Sequence, residues 1–338
     1  MTQLEKECIT LSEYVHGEAH YGIKPGVTKA FIIDNSTKDQ LVEQDPNSQD
    51  ILKPMLLGRG MTPYWSDTDN WLIDAHNGVK KEGLPRIEIS AYPAIKSHLD
   101  QYITKLTSRS DKGDTPYNLR NCAYYSKFLQ PKIMYQRFQV KPCFIFDDSG
   151  YFCNDSIWFI STNDKALLAV LNSSIGWWFI QKKCPSIQNG HQLIWDNFSQ
   201  ILVPRPEKMV DTPLAALAEK RVDLTRAQQS IRAKFHRSLL NHFSALKITQ
   251  ALETFETLTF AEFLKELKKQ KAKPKLSEEA EWEEFFTASK TELLRLAAES
   301  AQTDTQINTQ VAALYGLTAE QAGGLGAYLH EREQNHEL

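Results

Sequence analysis

"DKGDTPYNLRNCAYY", Asp111–Tyr125, is the stretch on which the reading of this chain turns. Its centre, Asp114-Thr115-Pro116-Tyr117, differs by one residue from the Asp-Pro-Pro-Tyr tetrad with which amino-methyltransferases grip a target base. A working tetrad belongs beside a doubly wound sheet whose first strand ends in a glycine-rich turn for S-adenosylmethionine. No such turn occurs. The dense glycines, Gly323, Gly324 and Gly326, lie near the C-terminus, where ending a helix is their natural role. Thr115 also replaces a proline whose ring would stiffen the tetrad, so the stretch reads as a loop of a different fold.

Its neighbours suggest what that loop could touch. From Thr107 to Phe138 the cations Arg109, Lys112, Arg120, Lys127, Lys132 and Arg137 alternate with Tyr117, Tyr124, Tyr125 and Tyr135 and with the amides Asn118, Asn121 and Gln136. Cations attract phosphates, and amides and arginine forks can read base edges. The same composition also suits a solvated loop with packed tyrosines. Net charge is -3, but residues 1–79 hold 6 Lys/Arg against 12 Asp/Glu and residues 80–142 hold 12 against 5. One basic segment is therefore set in an acidic protein.

The sequence holds no positive sign of catalysis. A magnesium nuclease of the two-carboxylate-plus-lysine type needs a Glu-x-Lys strand, and the nearest approach, Asp74 with Glu88-Ile89-Ser90, has serine in place of lysine. His16 and His20 have helical spacing without the glutamate of a zinc-protease helix, and no nucleophile elbow occurs. Five cysteines, Cys8, Cys122, Cys143, Cys153 and Cys184, are scattered without a Cys-x-x-Cys pair, which favours reduced, structural thiols over a disulfide framework or a metal site. No apolar run approaches the roughly 18 residues of a membrane span, and "MTQLEKECIT" lacks the basic and apolar regions of a signal peptide. The expectation is a soluble cytoplasmic protein with no catalytic residue, metal or cofactor.

The predicted fold class is α+β: a mixed α/β domain over residues 1–206 and an all-α region over 207–338. Strands are expected at Val27–Ile33, Trp71–Asp74, Lys132–Tyr135, Cys143–Phe146, Ile157–Ile160 and Ile201–Val203. Between them Ile95, Leu99, Tyr102 and Leu106 form one helical stripe, and "DKALLAVLNSSIGWWFIQKK" an apolar helical pair. After "LVPRPE" the chain is almost continuously helix-forming. Leu217, Leu224 and Ile231 recur at heptad spacing, but Arg221 and Gln228 between them are polar, so this helix needs a partner; "EWEEFFTASKTELLRLAAES" is expected to return antiparallel along it.

"YGIKPGVTKAFIID", "ILKPMLLGRGMTPY", "WLID", "YPAIKSHLDQY", the quoted stretch, "PKIMYQRF", "FDDSGYF", "LLAVLNSSIGWWFI" and "ILVPRP" occur in that order. The series resembles the TaqI-like C-terminal specificity domain of type IIG restriction-modification enzymes and related phage-exclusion methylases, from about Tyr21 to about Thr318. The resemblance implies a target-recognition module for double-stranded DNA. It would work with a methyltransferase, and with an endonuclease, carried on another domain or subunit. The family's own methyltransferase tetrad lies on that separate domain. Phosphate anchoring is expected from Lys112, Arg120, Arg137 and Lys141, with Tyr117 beside them. Base reading is expected from Asn118, Gln136 and the Ile187–Gln192 turn carrying Gln188, Asn189 and His191, a turn that equally suits capping the next helix. The competing reading is a non-DNA-binding interaction or inhibitory subunit acting on a restriction or phage-defence complex.

Overall fold

A computed structural model describes residues 7–318, 320–321 and 323–324. Gly326 and the first six residues of the N-terminal reading lie outside these described residues. The centre is a four-stranded antiparallel sheet, with strands His20–Tyr21, Ile157–Ser161, Lys132–Gln136 and Phe144–Asp147 in that order across it. Side chains alternate along each strand, so both faces can be buried. Ile133, Tyr135, Phe144, Phe146 and Ile160 enter one core and Met134, Ile145, Ile157 and Phe159 another.

The second of these cores is closed by an outer sheet with strand order Ile32–Asp34, Asn70–Ile73, Leu52–Leu56 and Phe152–Cys153, in which only the last pairing is parallel. The expected strand from Val27 is instead a helical turn, Thr28–Phe31, before a shorter strand, and the turn drops Ala30 and Phe31 into the core. Ile95, Leu99 and Leu106 are fully buried as the stripe requires, although the helix restarts once, as Pro93–Asp100 and Ile103–Ser108.

The first core is covered by helices Lys165–Asn172 and Ser174–Lys183, which turn sharply on each other because Ser173 caps the second. Leu214, Ala218 and Val222 of the long helix Leu214–His242 join the same core, so the helical region is fused to the sheet. The helix Leu276–Leu314 returns antiparallel to it, with Lys220 paired to Glu299 at one end and His242 to Glu278 at the other. Arg221 donates to Asp304 and Ser300 (2.6 and 3.0 Å), and Gln228 to Ser300 (3.3 Å). The polar breaks in the heptad pattern are thus a hydrogen-bonded seam between the two helices. Farther along, Phe235, Phe255, Phe263, Trp282 and Phe286 form a third core belonging to the helices alone.

Candidate nucleic-acid interface

The sites expected from the sequence fall into two groups, and the structure treats them differently. In the Asp111–Tyr125 loop the side chains are spent on the loop itself. Arg109 is buried and donates to the carbonyls of Pro25, Pro116 and Asn118; burial pushes its guanidinium down to about 10. Asn118, expected as a base reader, is 1% exposed. Its amide donates to the carbonyls of Ala75, His76 and Ile87 and accepts from the Thr115 hydroxyl, so no edge is left to offer a base. Tyr117 donates to Asp100 (2.6 Å) beneath Lys96, and Lys112 to the Thr107 carbonyl (2.6 Å). Arg120 pairs with Asp111 (3.2 Å), which also meets Lys24 at 3.6 Å. Of the basic segment's other cations, Lys132 is fully buried against Asp147, and Arg86 and Lys96 are in ion pairs.

The carboxylates and histidines weighed for catalysis are also dispersed. Asp74 is buried and accepts from the Tyr125 hydroxyl, and loss of water pushes its carboxyl up to about 7. Glu88 is exposed and paired with Arg86. His16 ends a short helix while His20 lies in the central sheet, stacked on Tyr124. Among the described residues no cluster of three or more His, Cys, Asp or Glu could hold a metal, and no helix is long and apolar enough to cross a membrane.

The second group comes together. Strand Lys132–Gln136 runs directly into the short strand Phe138–Gln139, which pairs with Gly190–Gln192, itself the inner arm of a hairpin with Ser186–Ile187. Gly190 makes that pairing possible: a Cβ there would stand 2.5 Å from the Gln139 carbonyl oxygen and 2.7 Å from the Phe138 ring. The hairpin tip is the two residues Gln188 and Asn189, both exposed, with Gln188 at φ 54, a left-handed conformation that a glycine would hold more cheaply. His191, one residue past the turn glycine, is 7% exposed and bonded through Nδ1 to the Cys184 carbonyl (3.1 Å) with its edge on Trp177. It braces the hairpin from inside and is closed to a base.

Beside the hairpin lies a cleft of ≈ 510 Å³ lined by Gly58, Arg59, Gln136, Arg137, Phe138, Asp155 and Ser156. Arg137 is held at its backbone from both sides, donating to Ser156 (3.0 Å) and accepting from Leu193 (2.7 Å), while its exposed guanidinium has no partner among the described residues. Arg59 is likewise exposed and unpaired among them. Gln139, buried, bonds the Gln136 and Cys143 carbonyls and the Cys143 amide, closing a rigid turn that carries Val140 and Lys141 outward. Phe138, Val140 and Ile187 are exposed apolar residues on the same elements. Unpaired forks, amides and apolar groups on a fixed backbone are what hydrogen bonding to base edges and contact with thymine methyls require. Arg59 was invisible to a charge count because it lies in the acidic first 79 residues; the Gly58-Arg59-Gly60 pattern is the local signal that marks it.

Comparison with known proteins places this architecture. Residues 54–203 match the TaqI-like C-terminal specificity domain, and residues 207–311 match a domain of unknown function, DUF8810. No curated protein matches the sequence. The fold is similar to that of the type IIL restriction-modification enzyme MmeI, solved in complex with DNA, at TM-score 0.50 and 12% identity over 95% of this chain and 35% of that one. The type IIG restriction endonuclease BpuSI matches at TM-score 0.41 and 15% identity over 66% of this chain and 26% of its own. The chain thus spans about a third of MmeI, and at such identity the likeness is one of fold. The cleft, the Gln136–Lys141 segment and the hairpin all fall inside residues 54–203, the segment that matches the TaqI-like C-terminal specificity domain.

Proposed function

We propose that this chain reads the sequence of double-stranded DNA through the cleft and its hairpin, and lends that specificity to a methyltransferase domain or subunit without itself catalysing a reaction. In this reading residues 1–206 form the recognition part and residues 207–338 its helical support. Arg59, Arg137 and Lys141 meet phosphates or guanine edges, and Gln136, Gln188 and Asn189 read bases. Lys112, Tyr117 and Arg120, outside the cleft lining, keep their own loop in shape.

The observation that carries the reading is that two arginines without a partner among the described residues line one cleft together with Gln136, beside a hairpin whose tip exposes two amides, on a backbone fixed by Ser156, Leu193 and Gln139. Preorganised donors lose little freedom on binding, so such a surface discriminates well for its size. Selection of duplexes from a random pool by the purified chain, followed by sequencing, tests it. Enrichment of a defined sequence is expected. Failure to retain any duplex at low salt, alone or with a methyltransferase partner, overturns it in favour of an interaction or inhibitory subunit, the reading that the acidic residues 1–79 and the internally paired cations favour.

A further inference from the structure

Arg59 stands between two fixed points. Behind it, Gly58 packs so closely on the turn at Ser156 that a Cβ would lie 2.7 Å from the serine hydroxyl. Ahead of it, Gly60 sits at φ 84 in open space, and the chain then enters the segment Met61–Thr68, which is fastened to the long helix Leu214–His242. Gln229 donates to the Thr62 hydroxyl and to the Trp65 carbonyl (3.2 Å), and its own carbonyl oxygen accepts from the Asp67 amide (3.2 Å). Four residues earlier on the same helix face, the Thr225 hydroxyl donates to the Pro63 carbonyl (3.4 Å). One turn earlier again, the Arg221 guanidinium lies 4.7 Å from the centre of the Tyr64 ring, and Arg226 covers Trp65 at 5.4 Å.

Tyr64 shows how firmly the segment is held. It is 3% exposed and adopts φ 72, a conformation that costs a bulky residue energy and persists only where its surroundings enforce it. Its amide donates to the Phe144 carbonyl (2.8 Å) and its carbonyl accepts from the Phe146 amide (3.0 Å), so the residue is stitched to the edge of the central sheet while the helix covers its ring. Residues 221, 225 and 229 form one stripe, and every one of them lies in the region matching the domain of unknown function. Only Arg59, Gly60 and Met61 separate the two anchors.

We infer that Gln229, with Thr225 and Arg221, is a positioning device for Arg59. The domain of unknown function would serve the specificity domain as a brace that sets where one of its DNA-contacting arginines stands, without touching DNA itself. This rests on the reading that the cleft meets DNA. Freed from Gln229, the segment keeps its sheet contacts through Tyr64 but loses its hold at Thr62 and Asp67, and the Gly-Arg-Gly turn gains the freedom that its glycines allow.

A double-mutant cycle in the full chain tests the brace. Wild type, Gln229→Ala, Arg59→Ala and the double variant are titrated against a labelled random-sequence duplex and against the duplex enriched by selection. Hydrogen exchange at the Asp67 amide is followed in parallel. Gln229→Ala is expected to weaken binding of the enriched duplex roughly three- to tenfold, to add nothing once Arg59 is alanine, and to speed exchange at Asp67. Thr62→Val, which removes one of the three Gln229 bonds together with the Thr62 hydroxyl's own bond to the Trp65 carbonyl, is expected to shift binding in the same direction and replaces Gln229→Ala in the cycle should that variant not fold. Wild-type affinity in Gln229→Ala, or an equal loss with and without Arg59, overturns the brace and leaves the recognition reading standing. A wild-type chain that binds neither duplex overturns the recognition reading, and the brace's purpose with it.

Discussion

Arg137 and Arg120 belong to the same basic segment, yet alanine at each should have very different effects. The Arg137 side chain has no partner to leave among the described residues, and both of its backbone bonds persist in Arg137→Ala. If its fork meets a base edge, the variant should lose about 1–3 kcal/mol, roughly five- to 150-fold in affinity for the selected duplex. Arg120 must first release Asp111 at 3.2 Å, so whatever it gains on DNA is largely returned, and Arg120→Ala should cost less than about 1 kcal/mol. Salt dependence separates the two modes of contact. Arg59 and Arg137 line the cleft, Lys141 is exposed just after strand Phe138–Gln139 and Lys183 at the end of the helix that leads into the hairpin, all four without a partner among the described residues. Four phosphate contacts would give a slope of log affinity against log salt of about -3.6, and one contact fewer would flatten it by about 0.9. Fluorescence anisotropy at several salt concentrations, with selected and scrambled duplexes, reads both quantities. Arg137→Ala should leave the slope unchanged and erase the preference if Arg137 reads a base, or flatten the slope and weaken both duplexes if it meets phosphate. Equal losses in Arg120→Ala and Arg137→Ala, or a slope far steeper than four contacts allow, would refute the assignment of the cleft.

Two further outcomes concern the scaffold. Burial holds the Asp74 proton up to about pH 7, well above the ordinary aspartate range, so the folded chain binds that proton more tightly than the unfolded chain does. The stabilisation from this group is full below the unfolded value and is lost as pH rises to about 7, by up to about 4 kcal/mol; Asp74→Asn should flatten the fall in melting temperature across that window, and an unchanged pH profile would contradict it. Asn118→Ala should cost about 1–3 kcal/mol in denaturant unfolding by leaving the Ile87 carbonyl without its donor, while the carbonyls of Ala75 and His76 keep the Leu119 and Ile87 amides and discrimination between duplexes is retained. Lost discrimination at unchanged stability would return Asn118 to the reading surface.

Periodicity carried the elements best where burial was two-sided or continuous. The strand at Lys132, the Ile95/Leu99/Leu106 stripe, the apolar helical pair and the antiparallel return of the long helix all follow from repeated apolar spacing. Val27–Ile33 misled because β-branched residues there report burial, and a buried helical turn needs the same side chains as a buried strand. The heptad seam was legible, but the role of Arg221 and Gln228 was not: a polar residue on an apolar stripe reads as a break until its partner, Ser300, is brought across from a distant helix.

The candidate site was half legible for a reason that charge counting shares with any one-dimensional measure. A sum over residues 80–142 treats Lys132, Arg109 and Arg137 alike, although the first is sealed against Asp147, the second is consumed by three carbonyls and the third is exposed with no side-chain partner among the described residues. Availability is set by partners far away in sequence, as Asp111 decides for Arg120 and Lys24 together. The same logic works in reverse at Arg59, which sits among acidic neighbours in sequence but beside Arg137 in the cleft. A protein with net charge -3 can therefore present a locally cationic surface where arginines outnumber carboxylates, as Arg59 and Arg137 outnumber Asp155 in the cleft lining. Its arrangement here depends on the hairpin fixed by Gly190 and on the loop fastened by Gln229, so the shape of the recognition surface is set by residues that never need to touch DNA.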